Sequence, residues 1–235
     1  MAIARDLPTR NADGSAVVLP SRTGPYLEAY TIGMGAGNWA FADEGSYFHA
    51  SNATLATGIA GHAAPVVADV ATKPLVHLYN GGSKNVVLDY LFLEVTAAGT
   101  AGTLHYTTIY LDNDGATSRA SGGTAITPVN CNSGSSDDTS ATLYFGAVVA
   151  TGTDKVAQQI VREVIPVVQD TVLMKFGSGF GSGAGLTTAG TATNHKTQNF
   201  APIVVAPGGN IGISQIRPSQ SAASSYQFSM GWWER

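Results

Sequence analysis

Charge is scarce in this chain. Asp, Glu, Lys and Arg make up only 12% of the 235 residues, about half the share of an ordinary globular domain. The 12 basic residues do not outnumber the 16 acidic ones, and the formal net charge is -4. A nucleic-acid binder normally shows a basic face, so the sequence predicts no nucleic-acid partner.

Cysteine and long apolar runs are also nearly absent. Cys131 is the single cysteine, which excludes an internal disulfide framework and a cysteine-rich zinc site. No apolar run reaches the ~18 residues that a membrane-spanning helix needs. Residues 1–30 show no apolar stretch flanked by basic residues, so no signal peptide is expected. The sequence therefore predicts no membrane partner.

Small residues take the place of the missing charge: Gly, Ala, Ser and Thr supply 104 of the 235 residues. From about residue 63, short apolar stretches with period-two alternation are separated by turns rich in Gly, Ser and Asn. The stretches interpreted as strands are 74–79, 86–95, 103–111, 143–149, 167–176, 202–205, 210–216 and 226–233. This pattern predicts an all-β fold, an antiparallel β-sandwich that is jelly-roll-like.

Several stretches depart from that pattern. Residues 1–62 contain recurring turn signals and are interpreted as an extended N-terminal arm, or as strands that need a partner to be stable. The sandwich domain is then residues 63–235. Residues 115–139 and 177–200 are rich in small polar residues and predict two long loops. Residues 154–165 fit a short helix nearly as well as a strand.

The histidines and the cysteine form no recognisable catalytic or metal motif. His77 and His105 lie in predicted strands and could meet across a sheet, but a pair lacks the third ligand of a catalytic zinc. We interpret both as structural histidines. Cys131 lies between two asparagines with no identifiable base, which favours an unreactive thiol.

Three further patterns resemble ligand sites without completing them. Residues 112–115 (Asp-Asn-Asp-Gly) lack the later ligands of a calcium loop and are interpreted as a hairpin turn. Asp137 and Asp138 offer only two carboxylates to a cation. Residues 179–184 loosely match a dinucleotide-binding pattern, but no helix start follows. The sequence therefore predicts no catalytic residue, no metal and no cofactor.

The C-terminal stretch has the clearest alternation in the chain. Alternation sends one of Trp232 and Trp233 into the core and the other outward. An outward tryptophan packs on a neighbour or remains exposed, which is uncommon. We predict that Tyr226, Trp232 and Trp233 contribute to a subunit interface, with packing under the N-terminal arm as the alternative.

At two places the chain resembles virion proteins of tailed bacteriophages. Residues 73–82 (KPLVHLYNGG) with 86–90 (VVLDY) are similar to the first core hairpin of such proteins. Residues 201–209, 221–226 and 231–235 are similar to their C-terminal end. The resemblance covers about residues 63–235. It implies a β-sandwich, often a jelly roll, that trimerises and serves as a capsid decoration (cement) protein or as a head or tail appendage.

The resemblance implies a non-enzymatic structural protein. We expect a homotrimer bound to the phage major capsid protein, on the outer capsid surface of the virion, made in the host cytoplasm. Arg5, Arg10 and Arg22 are expected to attach the arm to acidic capsid groups, with solvated surface arginines as the alternative.

Two other functions stay open. One is a tail or head-fibre receptor-binding module that recognises host glycan through loops 115–139 and 177–200. The other is a polysaccharide hydrolase or lyase, which the lack of a nucleophile–base pair disfavours.

Overall fold

The structure, a computed structural model, divides into two compact units, Met1–Gly37 and Asn38–Arg235. In the first unit, strand β1 (Ser21–Thr23) pairs antiparallel with β2 (Ala29–Thr31). The residues that the structure describes are 21–23, 29–31, 38–52, 54, 57–60, 73–97, 104–112, 118–151, 155–164, 168, 170–177, 181–183, 195–216 and 224–235.

The second unit opens with a short helix, α1 (Asn38–Asp43), and continues almost entirely as strands. Within the described ranges α1 is the only helix, and its six residues are too few to cross a membrane. The strands are β3 (Tyr47–Ser51), β4 (Ile59–Ala60), β5 (Val76–Asn80), β6 (Val86–Ala97), β7 (Leu104–Asp112), β8 (Ser118–Ile126), β9 (Val129–Asn130), β10 (Ala141–Thr151), β11 (Lys155–Val164), β12 (Thr171–Phe176), β13 (Gly181–Gly183), β14 (His195–Phe200), β15 (Val204–Val205), β16 (Asn210–Ile216) and β17 (Ser225–Glu234).

These strands form two sheets that pack face to face. The smaller sheet has the order β11-β7-β16-β5-β10-β8. The larger has the order β13-β14-β12-β6-β17-β3-β9, and β15 and β4 add to β6 and β17. All recorded pairs are antiparallel except β12 with β14. The core lies between the sheets and is filled by aliphatic and aromatic side chains from both, Trp232 among them.

Eight of the strands pair in a nested order. The first pairs with the last (β3 with β17), the second with the seventh (β5 with β16), the third with the sixth (β6 with β12), and the fourth with the fifth (β7 with β11). Nested antiparallel pairing of this kind produces the two Greek keys of a jelly roll. The predicted all-β, jelly-roll-like sandwich is confirmed. Strands β8 and β10 are an insertion that widens the smaller sheet beyond β5.

The prediction of two long loops is wrong in part. Within 115–139, Ser118–Ile126 is strand β8, which pairs along β10. Within 177–200, β13 and β14 are strands, and β14 runs parallel to β12. Backbone pairing with a neighbouring strand needs no apolar side chains, so a stretch of small polar residues can form a strand that its composition does not indicate. Residues 184–194 lie outside the described residues.

Pairing with distant strands settles two further questions, the conformation of residues 154–165 and the end of the N-terminal arm. The ambiguous stretch 154–165 is a strand, β11, which pairs with β7. Residues 47–51, placed by sequence in the arm, form β3 and pair with β17, and Phe48 and Ala50 lie in the core. The division between the two units accordingly falls after Gly37, earlier in the chain than the expected boundary at residue 62.

Candidate functional site

The outer face of the larger sheet, the side turned away from the core, presents side chains in rows that cross β3, β17 and β6. One row is His49, Gly231 and Tyr90. The next is Ser51, Ser229 and Phe92, followed by Gln227 beside Glu94. Because β-strands alternate their side chains, the neighbours of these residues along the chain face the core, except at Asp89, beside Tyr90.

Gly231 lets a side chain cross β17. The Tyr47 hydroxyl on β3 donates a 2.7 Å hydrogen bond to Asp89 Oδ2 on β6, with β17 between them. A Cβ atom on Gly231 would collide with the Tyr47 hydroxyl and lie 2.5 Å from Tyr90 Cε1. Only a residue without a side chain permits this crossing, so Gly231 is required by the close approach of the two tyrosines.

A β-bulge brings Asp89 to this position. Gly231 pairs with Tyr90, whereas the next residue, Trp232, pairs with Leu88, so Asp89 is an extra residue on β6. Bulges re-aim side chains by interrupting the alternation. Asp89 and Tyr90 are therefore both half-buried, and the Asp89 carboxylate reaches the Tyr47 hydroxyl.

A second hydrogen-bonded chain runs beside the first. His49 Nε2 lies 2.8 Å from Ser229 Oγ, and the Tyr90 hydroxyl lies 3.2 Å from the same oxygen. A serine hydroxyl donates one hydrogen bond and accepts others, so Ser229 links the imidazole to the phenol. We call Tyr47, His49, Asp89, Tyr90 and Ser229 the Gly231 cluster.

Burial shifts the pKa values of His49, Tyr47 and Tyr90 in the direction that favours their neutral forms. Burial lowers the pKa of His49. Burial, together with the hydrogen bond to Asp89, raises the pKa of Tyr47 well above its usual value. Burial also raises the pKa of Tyr90, against the opposing effect of its Ser229 hydrogen bond. Nearby, partial burial raises the pKa of the Cys131 thiol, so a reactive thiolate is disfavoured.

The Ser229–His49 contact is a nucleophile–base pair in outline. The third group at the Ser229 hydroxyl is the phenol of Tyr90 rather than an acid that orients the histidine. Ser229 lies in the middle of β17, not on the sharp strand-to-helix turn that exposes the nucleophile of α/β-hydrolases. The geometry favours a hydrogen-bonding surface over a catalytic centre.

Next to Ser229 the outer face contains a small cleft of about 170 Å³, lined by Ser51, Asn52, Phe92, Gln227, Phe228 and Ser229. Its polar groups are fixed by hydrogen bonds. Gln227 Nε2 donates to Glu94 Oε2 at 2.5 Å, and Asn52 Oδ1 accepts from the Phe228 backbone N–H at 2.7 Å. We call this the Phe92 cleft.

The second half of the predicted loop 115–139 is fastened to the turn that follows α1. Asn130 Nδ2 lies 2.8 Å from the Gly45 carbonyl and 2.9 Å from the Asp137 carbonyl. Asn132 Nδ2 donates to the Asp43 carbonyl at 2.8 Å. Side-chain amides thus add to the pairing of β9 with β3 in ordering this segment.

Asp137 and Asp138 line a cleft of about 290 Å³ with Phe48, Asn130 and Thr139 among its other residues. Across the part of the chain that the structure describes, no three His, Cys, Asp or Glu side chains come together as metal ligands. The two carboxylates therefore lie in the cleft without a third acidic partner.

The predicted interface residues lie in two different environments. Tyr226 and Trp232 face the core, and Trp232 is fully buried. Their side chains pack within their own chain, which leaves no surface for a second subunit. Trp233 faces outward and stacks on Phe41 of α1, with ring centroids 5.1 Å apart and planes 4° from parallel. Phe41 belongs to residues 1–62, which were expected to form the arm. The stacking of Trp233 on Phe41 therefore agrees with the alternative to a subunit interface, in which the outward tryptophan packs within its own chain.

The other candidate residues are placed as follows. Arg5 and Arg10 lie outside the described residues, and only the backbone of Arg22, in β1, is described. His77 is fully buried in β5. It does not meet His105, because Gly212 of β16 lies between β5 and β7 and pairs with His77 and Tyr110. Residues 181–183 of the glycine-rich pattern form β13.

Two buried carboxylates, Asp170 and Glu234, carry no signal in the sequence pattern. Glu234 is 4% exposed and accepts hydrogen bonds from the Thr139 and Ser140 hydroxyls. Beside it, Asn85 and Arg235 exchange backbone hydrogen bonds of 2.8 and 3.1 Å. Buried charges need such donors, so these contacts hold the C-terminal end of β17 against two turns of the sandwich.

Comparison of the chain with protein-family models, with curated proteins and with solved structures gave no match. The resemblance to phage virion proteins therefore stays a prediction, and function has to be argued from the geometry.

Proposed function

We propose that this protein is a non-enzymatic structural subunit of a bacteriophage virion, a capsid decoration protein that trimerises on the major capsid shell and stabilises it. The observation that supports this best is the nested jelly-roll pairing of β3 to β17. Jelly rolls are the architecture of viral capsid and lectin domains. Because a fold hosts many functions, the low charge of the chain and its resemblance to virion proteins add the rest of the support.

The smaller sheet offers a route to a trimer. It ends in two different strands, β8 and β11, and neither has a second neighbouring strand among the described residues. Residues 121–125 of β8 are exposed, and Arg119 is the only charged residue of that strand. Exposed edges of this kind pair readily with another chain. Pairing of β8 with β11 of the next copy is a heterologous contact. Such contacts generate a closed ring when the rotation between copies closes, and an open filament when it does not; the proposed trimer is the closed case.

Lysine substitutions on the exposed edge of β8 test whether the trimer forms by pairing of β8 with β11. The purified chain is expected to sediment as a trimer, and Ser121→Lys with Ala125→Lys is expected to shift it towards monomer, since edge charges oppose strand pairing. Ser133→Lys, in an exposed turn, is the matched control and should leave the trimer intact. A wild-type monomer at all concentrations would overturn the trimer.

Copy number tests the decoration role itself. Quantitative mass spectrometry of purified particles should find this chain in numbers comparable with the major capsid protein. A handful of copies per particle would favour a tail or head-fibre module instead. Host recognition through residues 115–139 has less support, because β8 is a strand and the side chains of Asn130 and Asn132 are bonded to the turn after α1.

A further inference from the structure

We infer that the Phe92 cleft is a binding subsite for one neutral sugar ring of a glycan. The cleft lies on the outer face of the larger sheet, where β3 ends beside β17. At about 170 Å³ it is smaller than the pockets that enclose drug-sized ligands, roughly 300–1,000 Å³. It therefore accommodates a single ring and leaves the rest of a chain-like ligand in solvent.

An aromatic side chain forms the apolar wall of the cleft. Phe92 is only half-buried although it lies in a central strand, so part of its ring is available to a ligand. The face of an aromatic ring carries negative charge density that attracts positively polarised C–H groups. The axial C–H groups of a pyranose ring present such a surface, whereas its hydroxyls point around the rim.

The polar rim of the cleft is ordered before any ligand arrives. Gln227 and Glu94 hold each other at 2.5 Å, and Ser229 is held by His49 at 2.8 Å and by Tyr90 at 3.2 Å. Amide and hydroxyl groups both donate to and accept from sugar hydroxyls, whereas a carboxylate only accepts. Since these side chains are already fixed, binding loses little of their conformational entropy.

A carboxylate beside the cleft selects the class of sugar. Glu94 does not line the cleft itself, but it accepts a hydrogen bond from the side-chain amide of Gln227, which does. A charged acceptor makes stronger hydrogen bonds to hydroxyls than a neutral one, but it repels a ligand carboxylate. The cleft is therefore suited to neutral hexoses and N-acetylhexosamines and opposes sialic and uronic acids.

Titration of the full chain with defined sugars tests this subsite. The neutral probes are the methyl glycosides of glucose, galactose, mannose and N-acetylglucosamine. The anionic probes are glucuronic acid and N-acetylneuraminic acid. In NMR titrations at least one neutral probe is expected to bind with a Kd of about 1 mM or tighter, to shift the amides of Gln227 and Ser229, and to bind more tightly than either acid.

Three variants assign the binding to the cleft. Phe92→Ala is expected to weaken binding at least tenfold, and Gln227→Ala tests the same cleft if the Phe92 variant fails to fold. Glu94→Gln is expected to narrow the difference between neutral and anionic probes. Leu173→Ala is the matched control, because Leu173 pairs with Phe92 from β12 but does not line the cleft.

Absence of binding by every neutral probe, or equal binding by wild type and both cleft variants, would overturn the subsite. Tighter binding of the acids would overturn its proposed selectivity. None of these outcomes changes the copy number of the chain in a particle, so failure of the subsite and failure of the decoration role are distinguishable.

Discussion

The two faces of β17 are stabilised in different ways. On the inner face Trp232 is fully buried, and Phe228 stacks on Phe145 with ring centroids 4.1 Å apart. On the outer face Ser229 and Gly231 serve hydrogen bonds between side chains of other strands. Core packing tolerates substitutions of similar volume and polarity, whereas a hydrogen-bonded cluster depends on the position of single atoms. The inner face is therefore expected to contribute the larger share of the stability, and the outer face determines which chemical groups the surface offers.

Truncation of the two adjacent tryptophans should give the largest contrast between the faces. Trp232→Ala is expected to lower the free energy of unfolding by about 3–5 kcal/mol, because it leaves a cavity in the core. Trp233→Ala loses a partly exposed stack on Phe41, worth about 1–2 kcal/mol. Urea denaturation of both variants measures the difference. A larger loss for Trp233→Ala would reverse the assignment of the faces.

A methyl group at Gly231 should be the next largest effect. Gly231→Ala is expected to cost about 1–3 kcal/mol, as overpacking does elsewhere, because the added carbon collides with Tyr47 and Tyr90. Gly134→Ala is the control: its Cβ would meet only Asn132 Oδ1, at 3.3 Å, in an exposed turn. The control should stay within about 0.5 kcal/mol of wild type. Equal losses of stability for the two variants would show that Tyr47 and Tyr90 do not pack closely over Gly231.

The Tyr47–Asp89 hydrogen bond predicts a dependence on alkaline pH. Tyr47→Phe is expected to lower the free energy of unfolding by about 0.5–1.5 kcal/mol near neutral pH, the usual net contribution of one intramolecular hydrogen bond. The folded-state pKa of Tyr47 is raised above its unfolded value of 10.0. Its contribution is therefore fully present below that pH and is lost as pH rises, because the unfolded chain releases the proton first.

Urea midpoints measured from neutral to alkaline pH check this expectation. The loss of stability above the ordinary tyrosine pKa should be shallower in Tyr47→Phe than in wild type. The loss of stability at alkaline pH that remains in Tyr47→Phe includes the contribution of Tyr90, whose pKa is also raised. Parallel curves for the two proteins would contradict the role of Tyr47.

His49 should give the smallest effect, on the acid side. Its pKa is lowered from 6.5 by burial, so the unfolded chain takes up a proton before the folded chain does. Its stabilising contribution is present above 6.5 and is lost as pH falls through the lower folded-state pKa. His49→Gln keeps a polar side chain at Ser229 and should flatten the stability profile below 6.5. An unchanged profile would show that His49 titrates alike in both states.

Local alternation was sufficient to predict most of the inner face. Residues 210–216 were expected as a strand and form β16, and the alternation of residues 226–233 runs through β17. Each apolar side chain at every second position carries its own burial signal. Most of strand β8 carries no such signal, because residues 121–125 are exposed and small, although the strand pairs along β10.

The outer face was not predictable from any local pattern. His49 and Ser229 are 180 residues apart in the chain, and Tyr47 and Asp89 are 42 apart. Their contacts exist because β17 pairs with β3 on one side and with β6 on the other. Strand order and the bulge at Asp89 therefore determine which side chains come into contact. The local sequence around these residues predicts neither the strand order nor the bulge.

Imaging of the intact phage particle at side-chain resolution is the most direct test of the proposed decoration role. The role predicts trimers of this chain over the whole icosahedral surface, each in contact with neighbouring major capsid subunits. Confinement of a few copies to the tail tip or to one vertex, or absence of the chain from the particle, would contradict it.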